Sequence, residues 1–200
     1  GLLMAIDVSD KSNPTILGTV STPHNFTHNA WVSEDGNTVF TTDEVAGAFI
    51  AAVDVSDVTN MTVVDEIQSW SPETNVIPHN THVKGKFLVT SYYCDGVTVV
   101  DASDPTNLDE VAYYDTSDST GGTFSGAWGA YPFLPSGNII SSDRNIGSNN
   151  HGRLLIFSRD FQQACYINGN VFDASSGAPI ANASVSIINT NFSSNSNLLG

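Results

Sequence analysis

The chain has 200 residues and a mass of 21.2 kDa, and its six Lys plus Arg against 21 Asp plus Glu leave a formal charge of −15. Nucleic acids and anionic membrane surfaces are held through a basic footprint, so this balance excludes both as partners. No stretch reaches the roughly 18 consecutive apolar residues of a spanning helix, which excludes direct membrane insertion by that route.

Asn, Ser and Thr together supply 61 of the 200 residues, and Val outnumbers Leu 19 to 10, a bias toward strands. No dozen residues carry the i, i+3, i+4, i+7 apolar spacing of a surface helix. The chain is expected to be all-β. It opens at Gly1 without a leader and stops at Gly200 in mid-pattern, so it reads as a piece of a longer protein.

In chain order, Met4-Ala-Ile-Asp-Val-Ser-Asp10 predicts a strand that ends in a turn, and Asn13-Pro-Thr-Ile-Leu-Gly-Thr-Val20 predicts its partner. Two more strands follow over 27–43, joined by a turn at Glu34-Asp-Gly-Asn37. The opening pair then returns as Ala51-Ala-Val-Asp-Val-Ser-Asp57 and Asn60-Met-Thr-Val-Val-Asp-Glu-Ile67. A tighter hairpin over 81–91 turns at Lys84-Gly-Lys86, before Thr98-Val-Val-Asp-Ala-Ser-Asp104 and Asn107-Leu-Asp-Glu-Val-Ala-Tyr-Tyr114. A third hairpin, Ser125 to Asp143, turns around Pro135-Ser-Gly137, and Arg153-Leu-Leu-Ile-Phe-Ser158 is a weaker copy without the aspartates.

Asp7, Asp54 and Asp101 are spaced 47 and 47 residues apart. Four short strands in each such period match the size of a β-propeller blade, and repeats this regular speak against a Greek-key sandwich.

The Val-Val-Asp-x-Ser-Asp-Pro strand end, the His-Asn elements before strands and Gly126-Ala-Trp-Gly-Ala-Tyr-Pro-Phe-Leu-Pro-Ser-Gly137 resemble the LVIVD-repeat propellers. More closely they resemble the bacterial surface proteins of the choice-of-anchor B family. The resemblance covers residues 1–160 and implies a six- or seven-bladed propeller, with about three four-stranded blades present here. Residues 165–200, with Gly169-Asn-Val-Phe-Asp173 and Gly177-Ala-Pro-Ile180, resemble the start of a carboxypeptidase-regulatory-like β-sandwich, truncated at the chain end. Two strands are expected around Ala174-Ser-Ser-Gly177, beginning at Tyr166. Such modules act as stalks on secreted proteins, which implies an extracellular or cell-surface location.

Four of the five histidines lie in two like motifs, Pro23-His-Asn-Phe-Thr-His28 and Pro78-His-Asn-Thr-His82. The first strand of a blade lines the central channel, so His24, His28, His79 and His82 are expected to converge near its mouth, His28 aligning with His82 and Trp31 with Trp128. Imidazoles gathered there suit zinc, copper or iron, with Asp43, Glu44 and Asp143 as acidic neighbours. They equally suit hydrogen bonds that hold the turns between blades. The Asp-x-Ser-Asp turns offer oxygens for calcium, or they cap their own backbone. Trp31, Trp128, Tyr92, Tyr93, Tyr113 and Tyr131 can stack on a glycan or fill the wedges between blades. His151 falls in a polar loop, and Cys94 and Cys165 are either a disulfide or two packed thiols.

No G-x-S-x-G elbow or phosphate loop is present. The expected function is therefore binding, adhesion or scaffolding by a propeller fragment of an exported bacterial surface protein. Its partners are a protein or glycan on the propeller face and the remainder of its own longer chain. The alternative is a metal-dependent oxidoreductase or hydrolase built on the axial histidines.

Overall fold

The computed structural model describes residues 1–71, 73, 75–144, 151–165, 167, 169–188 and 193–197. Tyr166 and residues 148–150 beside His151 lie outside the described residues.

Each predicted repeat forms a run of antiparallel strands in chain order. β1 (Leu2–Asp7) and β2 (Thr15–Ser21) make a two-stranded sheet. β3 (Thr27–Val32), β4 (Thr38–Asp43), β5 (Ile50–Asp54) and β6 (Thr62–Ile67) make a four-stranded sheet. β7 (Thr81–Lys84), β8 (Phe87–Ser91), β9 (Val97–Asp101) and β10 (Asp109–Tyr114) make a second four-stranded sheet. β11 (Ala127–Tyr131), β12 (Ile139–Asp143) and β13 (Arg153–Phe157) make a three-stranded one. The chain is thus an all-β partial propeller, in which two complete blades stand between two partial ones.

The repeated aspartates mark where strands stop. Asp7 Oδ1 accepts from the Ser9 amide (2.8 Å), Asp54 Oδ1 from Ser56 (2.9 Å) and Asp101 Oδ1 from Ser103 (2.8 Å). Asp57 and Asp104 do the same for Thr59 and Thr106. Each carboxylate satisfies an amide that the ladder has released, so these turns cap their own backbone.

Blades bury both faces against their neighbours, which explains strands that read as continuous Val and Ile runs rather than alternating ones. Val53, Val55 and Met61 pack with Leu3, Ala5 and Val20 between the first two sheets. Phe40, Ile50, Leu88 and Val100 fill the wedge between the two complete blades, and Val89, Val99, Ala130 and Ile139 fill the next. A fully buried side chain such as Leu88 contributes about 1.5–3 kcal/mol. At the flanks the same pattern is uncovered: Leu2, Met4 and Ile6 on β1 and Leu154 and Ile156 on β13 are exposed.

The seam between the second complete blade and the next is backbone to backbone. Tyr93 and Ala127 exchange both amide hydrogen bonds, at 3.0 and 2.9 Å. A Cβ on Gly126, which sits at φ +98°, would lie 2.1 Å from the Tyr93 carbonyl oxygen, so only glycine fits there.

Residues Gly1–Ala164 form one compact unit and Cys165–Gly200 another. In the first unit Phe161 packs beside Phe87, and the Ala164 amide donates to Asp101 Oδ2 at 2.7 Å. In the second, β14 (Ser184–Ser186) pairs with β15 (Ser193–Asn195). Among the described residues of the stretch 166–188 where two strands were expected, Phe172 bridges Pro179 across Ala174–Gly177, and β14 is the regular strand. Asp173 takes the amides of Ser175 (3.0 Å) and Ser176 (2.7 Å) into a tight turn there.

Candidate functional site

The inner strands β3, β7 and β11 are neighbours, and their registers define which side chains meet at the axis. The pairing of β3 with β4 slips between Thr27 and Asn29, which leaves His28 as the bulged residue. The pairing of β11 with β12 slips at the same place and leaves Trp128. Thr81 faces Thr90 as Ala30 faces Thr41, while the His79 amide donates to the Ser91 carbonyl and the Ser91 amide to the Asn80 carbonyl. His28, His79 and Trp128 therefore share one repeat position. The hydroxyls behind them repeat too: Thr42 Oγ1 donates to the His79 carbonyl (2.5 Å) and Ser91 Oγ to the Trp128 carbonyl (3.1 Å).

This register corrects the expected alignments. The shared unit is His28-Asn29 with His79-Asn80, not the two Thr-His dipeptides, and His82 falls level with Trp31 and Tyr131. In this register Thr81-His82 falls three residues beyond the place equivalent to Thr27-His28.

A second repeat position faces the first. Glu44, Tyr93 and Arg144 are equivalent by the pairings of β4 with β5 and β8 with β9, and by amide bonds from Glu44 to Phe26 and from Arg144 to Gly126. Glu44 Oε2 is 3.2 Å from His28 Nδ1, and Glu44 Oε1 is 3.6 Å from His79 Nε2. The Tyr93 hydroxyl donates to Glu44 Oε1 at 2.5 Å. The His28 and His79 rings stack with centroids 4.5 Å apart, and His79 also stacks on Trp128 at 5.5 Å.

His79 is 3 % exposed, and its Nδ1 lies 2.5 Å from the Trp128 carbonyl oxygen. A carbonyl only accepts, so Nδ1 carries the proton of the neutral ring and Nε2 turns its lone pair toward Glu44. Burial pushes the His79 pKa below the ordinary imidazole value, against the pull of the Trp128 carbonyl. Burial pushes the Tyr93 phenol up, and the hydrogen bond to anionic Glu44 pushes it further; the Arg144 charge acts the other way.

Among the described residues, His28, Glu44 and His79 form a group whose ligand atoms all lie within 4.8 Å of one another. The other residues singled out in the sequence do not join it. The His24 ring stacks on Phe49 at 5.3 Å, and its amide donates to Asp43 Oδ2 at 2.7 Å. Asp43 is buried and also accepts from Thr22 Oγ1 (2.7 Å) and the Phe26 amide (3.2 Å), closing the loop into β3. Asp143, its repeat equivalent, pairs with Arg153 at 3.1 Å. His82 packs on Trp31 (4.6 Å) and Phe133 (5.9 Å); its buried Nδ1 has no hydrogen-bond partner, and burial lowers its pKa. His151 is exposed, and both cysteines are free thiols, Cys94 buried and Cys165 exposed.

Tyr93, Arg144 and the Trp128 carbonyl were not expected at the site. Three different side chains share one repeat position there, so self-similarity gives no signal for them. A second unexpected feature lies at the same end of the sheets: Ser69, Trp70, Ser71, Asp95, Tyr113 and Asp115 line a pocket of about 180 Å³. Trp70 and Tyr113 are 65 % and 67 % exposed. Burial raises the carboxyl of Glu110, which accepts from the Trp70 amide, to about 7, and burial lifts Asp95 in the lining above the ordinary range.

With this geometry in place, the family comparison is informative: the LVIVD repeat model matches residues 1–22 and 79–116. The matched stretches cover β1 with β2 and the second complete blade, while the first complete blade repeats their architecture without matching. A crystal structure of a protein from Lactobacillus plantarum, a structural genomics target, has a TM-score of 0.57 at 14% identity. The alignment covers 77% of this chain and 48% of that one, so this chain spans about half of that protein's length. That protein is β-propeller-like, and at this identity the likeness concerns the fold. A comparison with curated proteins found no match.

Proposed function

We propose that the chain is a ligand-binding part of an exported bacterial surface protein, in which the propeller presents the loop-bearing end of its blades to a partner. The pocket of Trp70, Tyr113, Asp95, Asp115, Ser69 and Ser71 carries this reading. Exposed rings beside carboxylates and hydroxyls offer a stacking platform with convergent hydrogen bonds, the pairing that a sugar's apolar face and hydroxyl rim need. A glycan is therefore the favoured ligand, with adhesion or scaffolding as the role. The remainder of a longer chain is the proposed cover for the exposed apolar residues of β1 and β13, and residues 165–200 are proposed as the start of a β-sandwich stalk.

Glycan-array binding of the chain tests the reading, with Trp70→Ala and Tyr113→Ala as variants. Stacking worth about 1 kcal/mol per ring predicts that each variant loses roughly fivefold or more in affinity. Binding that both variants retain in full, or no glycan bound by the parent, contradicts it.

A further inference from the structure

We propose that His28 Nδ1, the Glu44 carboxylate and His79 Nε2 form a site for a divalent transition ion of the zinc class at the mouth of the propeller axis. This goes beyond the ligand pocket, which lies among other residues.

Three observations carry it. The first is convergence. His28 Nδ1, a Glu44 carboxylate oxygen and His79 Nε2 lie within 4.8 Å of one another, and the bond from His79 Nδ1 to the Trp128 carbonyl leaves Nε2 as the nitrogen that faces Glu44. The second is the fixing bond itself. A ligating histidine holds its far N–H on a carbonyl or carboxylate, which sets the tautomer and the ring plane. His79 does this through Trp128, and Ser91 Oγ donates to the same carbonyl at 3.1 Å. The Tyr93 hydroxyl likewise steadies Glu44 Oε1.

The third observation is the donor set. Two imidazoles and one carboxylate suit zinc, whereas calcium needs six or more oxygens. Three protein ligands leave a fourth position, and His28, whose side chain is 33% exposed, marks the solvent side on which it opens.

The test uses the 200-residue chain without a histidine tag, bearing Cys165→Ser to remove an exposed competing thiol. After chelator stripping, zinc is titrated by calorimetry, and cobalt(II) serves as an optical probe of the coordination. One zinc per chain is expected, with the visible absorption of low-coordinate cobalt. Glu44→Gln and His28→Asn should each weaken zinc binding by roughly tenfold to a hundredfold or more. His82→Gln should leave it unchanged, and melting curves check that each variant is folded. Absence of saturable zinc binding overturns the proposal, as does affinity that survives both Glu44→Gln and His28→Asn.

Discussion

The inner strands present two tiers of side chains that differ by three residues in sequence and completely in chemistry. The upper tier of His28, His79 and Trp128 meets Glu44 and Tyr93, and His79 holds its Nδ1 on the Trp128 carbonyl with Nε2 facing Glu44. In the lower tier Trp31 and His82 gather around Phe133, and the buried His82 Nδ1 is unpaired. The same residue type thus does two jobs. Packed among rings His82 is a shape-filling group with a polar liability, while His79 is held in one tautomer by its own hydrogen bond. Histidine alone does not make a site; its partners do.

The largest effect is expected where the upper tier is pinned by backbone. Gly126→Ala drives a Cβ into the Tyr93 carbonyl and imposes a strained φ, and should cost about 3–4 kcal/mol in chemical denaturation. Gly36→Ala, also at positive φ but with open space around it, should cost only about 1 kcal/mol. Equal losses would show that φ, and not the seam, sets the requirement.

Next in size is the contrast between tiers. His79→Leu leaves the Trp128 carbonyl with the Ser91 hydroxyl alone and should cost about 1–1.5 kcal/mol. His82→Leu removes a buried unpaired nitrogen and should be neutral or stabilising by up to about 1 kcal/mol. If His82→Leu destabilised as much as His79→Leu, the two tiers would not differ as described.

Much of this fold was legible because it is local. Strand ends are written as Asp-x-Ser-Asp turns whose carboxylates cap backbone two residues on, so the 47-residue period and the four strands per blade follow directly. The site was less legible. Glu44 stood among the named residues, but Asp43 and Asp143, named for the same charge, are occupied in closing loops or pairing with Arg153. The register aligns His28-Asn29 with His79-Asn80 rather than the two Thr-His dipeptides, Trp128 takes the same place without a histidine, and the group facing them is Glu, Tyr and Arg in successive blades. Register depends on pairing across strands, which a single chain's residue order does not state.

The smallest effects are in pH. Burial holds the His82 pKa below its ordinary 6.5, so the fold favours the neutral ring. That contribution is present above 6.5 and is lost as pH falls through the depressed value, and His82→Leu should flatten the acid side of the stability profile. Glu110 has the opposite sign. Its carboxyl is raised from 4.5 to about 7, so its contribution is complete below 4.5 and is lost as pH rises to about 7. Glu110→Gln should reduce the decline over that interval, measured by melting temperature; an unchanged slope would remove Glu110 as its cause.

The axial register is the claim on which the rest stands, and proton NMR reads it most directly. Rings stacked at 4.5 Å require nuclear Overhauser cross-peaks between the imidazole protons of His28 and His79 in the intact chain. Those cross-peaks are expected, together with contacts from His82 to Trp31 and Phe133. A spectrum in which His28 pairs instead with His82, with no contact to His79, would contradict the account.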